Sequence, residues 1–254
     1  MKRIIAITLL LLLFTRCTAE NFVFTVSEVL ASVPAEGEYR YAQGGGTDGT
    51  YAYFAMAAKN QAEEKAVLYK YDLNTWELTA VSEPLPLGHA NDITFDPVNN
   101  RLIISHCSMF QGRLCYVDPE TLTYLGHGKS SLKNRAVEYL PETGELLIAS
   151  GFEFCFLNEK LKITRHFTCG SGQYVSQGLC CDGSNIYDVR WDDENKTARI
   201  IVHDMDGNYI GDFPVAGAPG EPESIFRLKD GDFIINFYAP GMPVCRVKLT
   251  EEAS

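Results

Sequence analysis

The sequence predicts an all-β protein built from five repeats of similar length. One sequence motif occurs at residues 43–49 and again at 177–183, each time before a strand that contains Tyr. It consists of a polar residue, a short run that begins with glycine, and Asp-Gly. Looser copies begin at Asn91, Arg135 and Glu223, so the five starts lie 42 to 48 residues apart. This period is typical of four-stranded repeats. Apolar residues with the 3.6-residue spacing of a long amphipathic helix are almost absent.

Each repeat begins with two strands joined by a tight turn. The second strands are expected at residues 101–105, 145–149, 185–189 and 232–237. Each of them follows a cluster of Asp, Asn, Pro or Gly, and these residues favour the backbone angles of hairpin turns. The pattern therefore predicts a series of antiparallel hairpins.

A second hairpin completes each repeat. A hydrophobic strand ends in Asp or Asn, turns, and resumes as an outer strand; these turns lie at Asp72, Asp118, Asn158 and Asp204. Four strands in this order form one blade of a β-propeller.

The last repeat has only three obvious strands, at residues 223–228, 232–237 and 244–249. We expect its fourth strand to come from residues 22–26, because pairing of the two chain ends would also protect exposed sheet edges. The prediction is a single five-bladed β-propeller over residues 20–254, closed by pairing of its N- and C-terminal strands. Six blades are the fallback, and a β-sandwich is the structural alternative, although it does not explain the equal spacing.

Residues 1–19 are predicted to be a signal peptide. Two basic residues precede an apolar run that is too short to span a bilayer, and small residues at 17–19 allow cleavage after Ala19. The protein is therefore expected to be secreted or to reside in the cell envelope, with no integral membrane segment after removal of the signal. The alternative is that Cys17 carries the lipid of a bacterial lipoprotein.

The net charge of the chain argues against a nucleic-acid partner. The net charge is −11, and it becomes −14 when the three basic residues of 1–19 are removed. Nucleic-acid binding needs clustered Lys and Arg, so no nucleic-acid partner is expected.

Seven cysteines follow Cys17, and an odd number leaves at least one unpaired within an exported chain. We expect most of them to be small buried residues.

Polar residues at the five repeat starts predict a binding site at one mouth of the central channel, because the first strand of each blade lines that channel. With their polar neighbours, the predicted ligand-binding residues are Gln43, His89, Asn91, Asp92, Arg135, Gln177 and Glu223. The competing interpretation is that these side chains bond one another and ordered water merely to satisfy a polar tunnel. No metal or cofactor is predicted: neither a calcium set of Asn91, Asp92 and Glu223 nor a zinc pair of His89 and His127 has a spacing motif.

Two family resemblances add to this interpretation. Residues 88–95 and 177–179 resemble repeats in secreted β-propeller proteins of Gram-positive gut bacteria, which implies an exported protein without an assigned activity. Residues 91–96, continued by 101–104, are similar to a blade of the plant-type glutaminyl cyclotransferases, which are five-bladed propellers.

The second resemblance implies channel-mouth glutamates that perform acid/base work on an N-terminal glutamine. This chain has amides at Gln43 and Gln177, which cannot transfer protons as a carboxylate does. Only Glu223 and Glu138 remain to stand in for those glutamates.

The leading prediction is a secreted, monomeric, non-catalytic propeller that binds a small molecule, a glycan or a peptide at the channel mouth. The first alternative is an enzyme, either cyclotransferase-like or a metal-assisted lyase or hydrolase, which would need a channel carboxylate with a raised pKa. The second alternative is a scaffold for another protein of the cell envelope.

Overall fold

Twenty β-strands make up nearly all of the regular structure in the residues that the computed structural model describes, which are 22–108, 112–168 and 175–251. One three-residue 3-10 helix, Gln61–Glu63, is the only helix in these ranges, so none there has the length and apolar content to cross a membrane. The predicted signal peptide with Cys17, and also Cys169, lie outside the described residues.

The strands form three antiparallel sheets of four strands and one sheet of eight, to which β1 (Phe22–Ser32) belongs. The first four-stranded sheet contains β2 (Tyr39–Thr47), β3 (Tyr51–Ala58), β4 (Ala66–Asp72) and β5 (Leu78–Val81). The second contains β6 (Asp92–Asp96), β7 (Arg101–Ser105), β8 (Arg113–Val117) and β9 (Tyr124–Lys129). The third contains β10 (Ala136–Leu140), β11 (Glu145–Ser150), β12 (Glu153–Leu157) and β13 (Ile163–Thr168).

The eight-stranded sheet joins two further groups through β1. One group contains β14 (Val175–Cys181), β15 (Asn185–Asp192), β16 (Thr197–Asp204) and β17 (Tyr209–Ala216), and the other contains β18 (Glu221–Arg227), β19 (Phe233–Tyr238) and β20 (Pro243–Glu251). β1 runs antiparallel to β20, from Phe22 opposite Glu251 to Ser32 opposite Pro243. It meets β17 in parallel at only two positions. β1 thus occupies the place of a fourth strand in the last group.

The first strand of each group, here called an inner strand, has most of its inner-strand contacts with those of two other groups. β2 contacts β6, β6 contacts β10, β10 contacts β14, β14 contacts β18, and β18 contacts β2. Glycine permits this close approach: a Cβ on Gly44 would lie 2.6 Å from the Cα of Asp92, and one on Gly178 would lie 2.7 Å from the Cα of Ser224. The inner strands therefore meet backbone to backbone around a narrow axis.

The repeated Asp-Gly motif forms the same turn in both places. Asp48 Oδ1 accepts hydrogen bonds from the amides of Thr50 and Tyr51, and its Oδ2 accepts one from the Tyr53 hydroxyl at 2.6 Å. Asp182 repeats this arrangement with two following amides and with the hydroxyl of Tyr187 at 2.8 Å. The glycine after each Asp has a positive φ, of 87° and 89°. The Tyr-containing strand of the motif thus anchors the turn that precedes it.

The hydrophobic core lies between neighbouring groups of strands rather than at the axis. Phe24 of β1 is fully buried, and its ring centroid lies 5.6 Å from that of Phe233 and 6.4 Å from that of Tyr187. These contacts join β1 to the cores of the last two groups. Most of the cysteines that the structure describes are buried, as expected of small apolar residues: Cys115, Cys155, Cys180 and Cys245.

Candidate functional site

A β-bulge interrupts three of the inner strands near the point where they begin to line the axis. Single extra residues interrupt the register of β14 at Gln177 and of β18 at Glu223, and β2 has its extra residue within 43–44. Asn91 and Arg135 hold the corresponding places directly before β6 and β10. The amide of each donates to the carbonyl of the residue that lies opposite the next position of the strand. A bulge redirects the side chain of the extra residue. The five predicted starters therefore share one structural position.

A cavity of about 780 Å³ opens at this end of the axis, and we call it the mouth cavity. Its wall contains four of the predicted ligand-binding residues: His89, Asn91, Arg135 and Gln177. The other three predicted residues, Gln43, Asp92 and Glu223, do not form part of its wall and are buried, with 4%, 0% and 6% of their surface exposed.

Asp92 connects three inner strands. Its Oδ2 accepts hydrogen bonds from the Val137 amide of β10 at 2.9 Å and from the Leu179 amide of β14 at 3.1 Å, while Oδ1 accepts one from the Ile93 amide. Burial raises the pKa of this carboxyl well above its usual value, although the three amides oppose the shift. Asp92 was predicted to bind ligand, and the structure gives its oxygens backbone partners instead.

Glu223 is a buried carboxyl without such partners. It forms no hydrogen bond or ion pair with any residue that the structure describes, and burial, reinforced by the charge of Glu221, raises its pKa well above the usual value. Gln43 is similar, since its Oε1 is buried and has no hydrogen-bond partner among the described residues. Two of the predicted residues that lie off the cavity wall thus have side-chain oxygens without a hydrogen-bond partner among the described residues.

Glu221 lies on the cavity wall but was missed by the sequence analysis. Its Oε1 accepts a hydrogen bond from Gln177 Nε2 at 2.8 Å, and burial raises its pKa. Gln177 in turn accepts a bond at its backbone oxygen from Asn91 Nδ2 at 3.3 Å. The available signal was its position two residues before Glu223 on the same strand.

Arg135 carries the positive charge of the wall on the β10 side. It is half-buried, and its guanidinium makes no ion pair or hydrogen bond with the described residues. Burial together with the charge of Arg135 lowers the pKa of His89, which also lines the cavity. Trp191, another wall residue that sequence patterns did not indicate, adds a half-buried aromatic surface from β15.

A polar cluster fixes the loop between β3 and β4 to the cavity wall. Ser108 Oγ lies 2.8 Å from His106 Nδ1 and donates to Glu64, whose Oε2 is 3.4 Å from His106 Nε2. Burial lowers the pKa of His106 to about 4, so its ring is neutral at physiological pH. The absence of a side chain at Gly88 makes room for this ring, since a Cβ there would lie 2.3 Å from it. The contacts tie the first two groups of strands together.

A second cavity, of about 470 Å³, lies at the opposite ends of the inner strands and shares no lining residue with the first. Glu138 lies on its wall, where Thr94 Oγ1 donates to Glu138 Oε2 at 3.0 Å. Burial raises the pKa of Glu138 to about 8. In neither cavity do three His, Cys, Asp or Glu side chains of the described residues gather as a metal site would require.

No protein-family model and no curated protein sequence matches the chain, so no family is assigned. Solved structures do match its fold. A protein of unknown function from Bacteroides caccae matches at TM-score 0.54 and 14% identity, over 73% of this chain and 70% of that one. A candidate exported protein from Bacteroides fragilis matches at TM-score 0.52 and 9% identity, over 91% and 96% of the two chains.

A chain in a nidogen/laminin complex matches at TM-score 0.50 and 13% identity, over 85% of each chain. At such identities, likeness demonstrates the fold and nothing finer. The chain has a β-propeller-like all-β fold that bacterial proteins of unknown function share.

Proposed function

We propose that this chain is an exported propeller that binds a small polar ligand in the mouth cavity without catalysing a reaction. The observation that carries the proposal is a set of polar groups without partners where the inner strands begin, one of which, Arg135, lies on the cavity wall. Gln177 and Glu221 bond each other, as a self-contained polar tunnel would require, but Arg135, Glu223 and Gln43 Oε1 have no such partners. Buried polar groups are normally paired, so an outside partner accounts for the exceptions.

The proposed architecture is a single five-bladed ring that is closed where β1 joins β20. The cyclic contacts among the five inner strands and the long antiparallel register between the two chain ends support it. Export is supported by the signal-like residues 1–19 and by the likeness to the candidate exported protein of Bacteroides fragilis.

A screen of sugars, amino acids and short peptides by thermal shift, followed by calorimetry on the hits, tests the binding function. We expect Arg135→Gln and Glu223→Gln to weaken binding of a hit at least about 10-fold, which corresponds to about 1.4 kcal/mol. The controls are Arg40→Gln and Glu142→Gln, which remove exposed charges outside the mouth cavity. If both mouth variants bind every hit as the controls do, the proposed site is wrong.

The cyclotransferase-like alternative is favoured by one observation. Two carboxyls with raised pKa values, Glu221 and Glu223, occur two residues apart at the mouth, as acid/base work would require. In that reaction the α-amine of an N-terminal glutamine attacks its own side-chain amide carbon, and ammonia leaves. Incubation with an N-terminal-glutamine peptide therefore distinguishes the two functions: enzymatic ammonia release that Glu223→Gln abolishes would replace the binding proposal, and no release would retain it.

A further inference from the structure

We infer that the ligand of the mouth cavity is a zwitterion, a free amino acid or a short peptide, whose carboxylate pairs with Arg135 and whose amine pairs with Glu221 and Glu223. This inference rests on the proposed binding function and adds the chemical class and the orientation of the ligand. Three features carry it: a guanidinium without an anionic partner, two carboxyls without a cationic partner among the described residues, and the separation of the guanidinium from the carboxyls.

The anion side is defined by Arg135. A guanidinium has five N–H donors in a planar fork that matches a carboxylate in two parallel hydrogen bonds. Here the fork lies on the cavity wall, half-buried, and no carboxylate of the described residues pairs with it. Water that remains around a half-buried guanidinium is readily exchanged for a ligand carboxylate, which restores charge-assisted bonds at that position.

The cation side is defined by two glutamates of β18. Glu223 is 94% buried and without a partner, and the only side-chain partner of Glu221 is the amide of Gln177. No Lys, Arg or His of the described residues forms an ion pair with either of them. An ammonium group carries three donors, which suits two carboxyls and the unpartnered Oε1 of Gln43. Burial without a cation favours the neutral form of both carboxyls, and an ammonium group beside them restores the ionised form, so a cation is the expected occupant.

The two sides are separated around the axis. β10, which Arg135 precedes, and β18 do not adjoin in the ring of inner strands, because β14 with Gln177 lies between them. A single monovalent ion therefore cannot satisfy both sides. A molecule with opposite charges at its two ends can do so, and Trp191 offers an apolar surface to the part between them.

Net charge supports the same class. The chain carries −11 overall, which disfavours a purely anionic ligand at long range. A purely cationic ligand would leave the guanidinium of Arg135 unpaired. A zwitterion avoids both costs.

Isothermal titration with trialanine and its two capped forms tests the inference. N-acetyl-trialanine lacks the amine, trialanine amide lacks the carboxylate, and free alanine distinguishes an amino acid from a peptide as the source of the two charges. We expect either trialanine or free alanine to bind, and each cap to weaken trialanine binding at least about 10-fold. In Arg135→Gln the acid and the amide should bind equally, and in Glu223→Gln the free and acetylated amines should bind equally. Arg40→Gln and Glu142→Gln should leave both differences unchanged.

The outcomes separate the two proposals. Equal binding of capped and uncapped peptides would overturn the zwitterion and leave the binding function intact. Binding of neutral sugars alone, abolished by Arg135→Gln, would also overturn the zwitterion and leave the binding function intact. If no compound of the screen and none of these four probes binds, both proposals are overturned.

Discussion

Buried carboxyls at the axis differ in how their oxygens are satisfied. Asp92 accepts three backbone hydrogen bonds, Glu138 accepts one from a threonine hydroxyl and one from the Cys181 backbone, and Glu223 accepts none from the described residues. Burial raises the pKa of all three groups. A carboxyl with backbone partners acts as a structural connection, whereas one without partners is available to a ligand or a proton.

Glu138 gives a pH-dependent prediction. Its pKa is about 8 in the folded chain, against about 4.3 in an unfolded one. Between these values the folded chain holds a proton that the unfolded chain has lost, so the free energy of unfolding falls as the pH rises through this window. Glu138→Gln removes the titration. We expect the free energy of unfolding of the variant, measured with urea, to exceed that of the wild type by at least about 1 kcal/mol at pH 8. At pH 4 the two free energies should be equal.

The control for this prediction is Glu142→Gln, an exposed glutamate on the wall of the same cavity. It should leave the pH profile unchanged. A Glu138→Gln profile that runs parallel to that of the wild type from pH 4 to 8 would show that this carboxyl is not buried as described.

At the scale of the element, the Asp-Gly turns account for the motif that repeats in the sequence. Asp48→Ala and Asp182→Ala each remove a side chain that caps two backbone amides and binds a tyrosine hydroxyl. We expect each variant to lose about 1–3 kcal/mol in chemical unfolding, because these donors lose their partner. The two losses should add, since the turns belong to different sheets.

Asp206→Ala is the matched control for the turns, because Asp206 lies in a turn that begins at Asp204 and its own exposed carboxylate accepts no bond from the described residues. A change within about 0.5 kcal/mol is expected there. Losses at Asp48 and Asp182 no larger than this would mean that the repeated motif has no structural role.

Strand positions could be predicted where turns are marked by Asp, Asn and Gly. β7 begins and ends where the sequence predicts, at Arg101–Ser105, because the Asn-rich turn before it fixes its start. The start of β18 was placed at Glu223, two residues late, since Pro222 interrupts the strand pattern. Hydrophobic periodicity also cannot reveal a bulge, so the register shift that turns Gln177 out of the ladder was not foreseen.

The site was predictable only in part, for a related reason. The polar starters are local features of each repeat, and four of the seven predicted residues reach the cavity wall. Glu64 and Trp191 come from other strands and loops, and only the packing of one group on the next brings them to the same opening. The unpaired state of Arg135 is likewise a property of the assembled groups of strands.

At the scale of the whole molecule, β1 joins the first and last strands of the described chain, because it pairs with β20. Phe24 has no exposed surface and packs against Phe233 and Tyr187, which belong to different groups of strands. We expect Phe24→Ala to lower the free energy of unfolding by about 3–5 kcal/mol, as a truncated core phenylalanine does. Thermal or urea unfolding of the full chain measures the effect.

Val29→Ala on the same strand is the control, because Val29 is 62% exposed and its truncation should cost little. If the two variants lose equal stability, β1 does not contribute to the core in the manner described. Retention of wild-type stability by Phe24→Ala would also contradict the proposed closure of the ring.

The backbone bonds of Asp92 have one consequence for exchange with solvent. The carboxylate spans β6, β10 and β14 between the two cavities, which have no lining residue in common. These bonds hold three inner strands together between the two cavities. A ligand that enters beside Arg135 is therefore expected to leave through the same opening, so that its residence time depends on that opening alone.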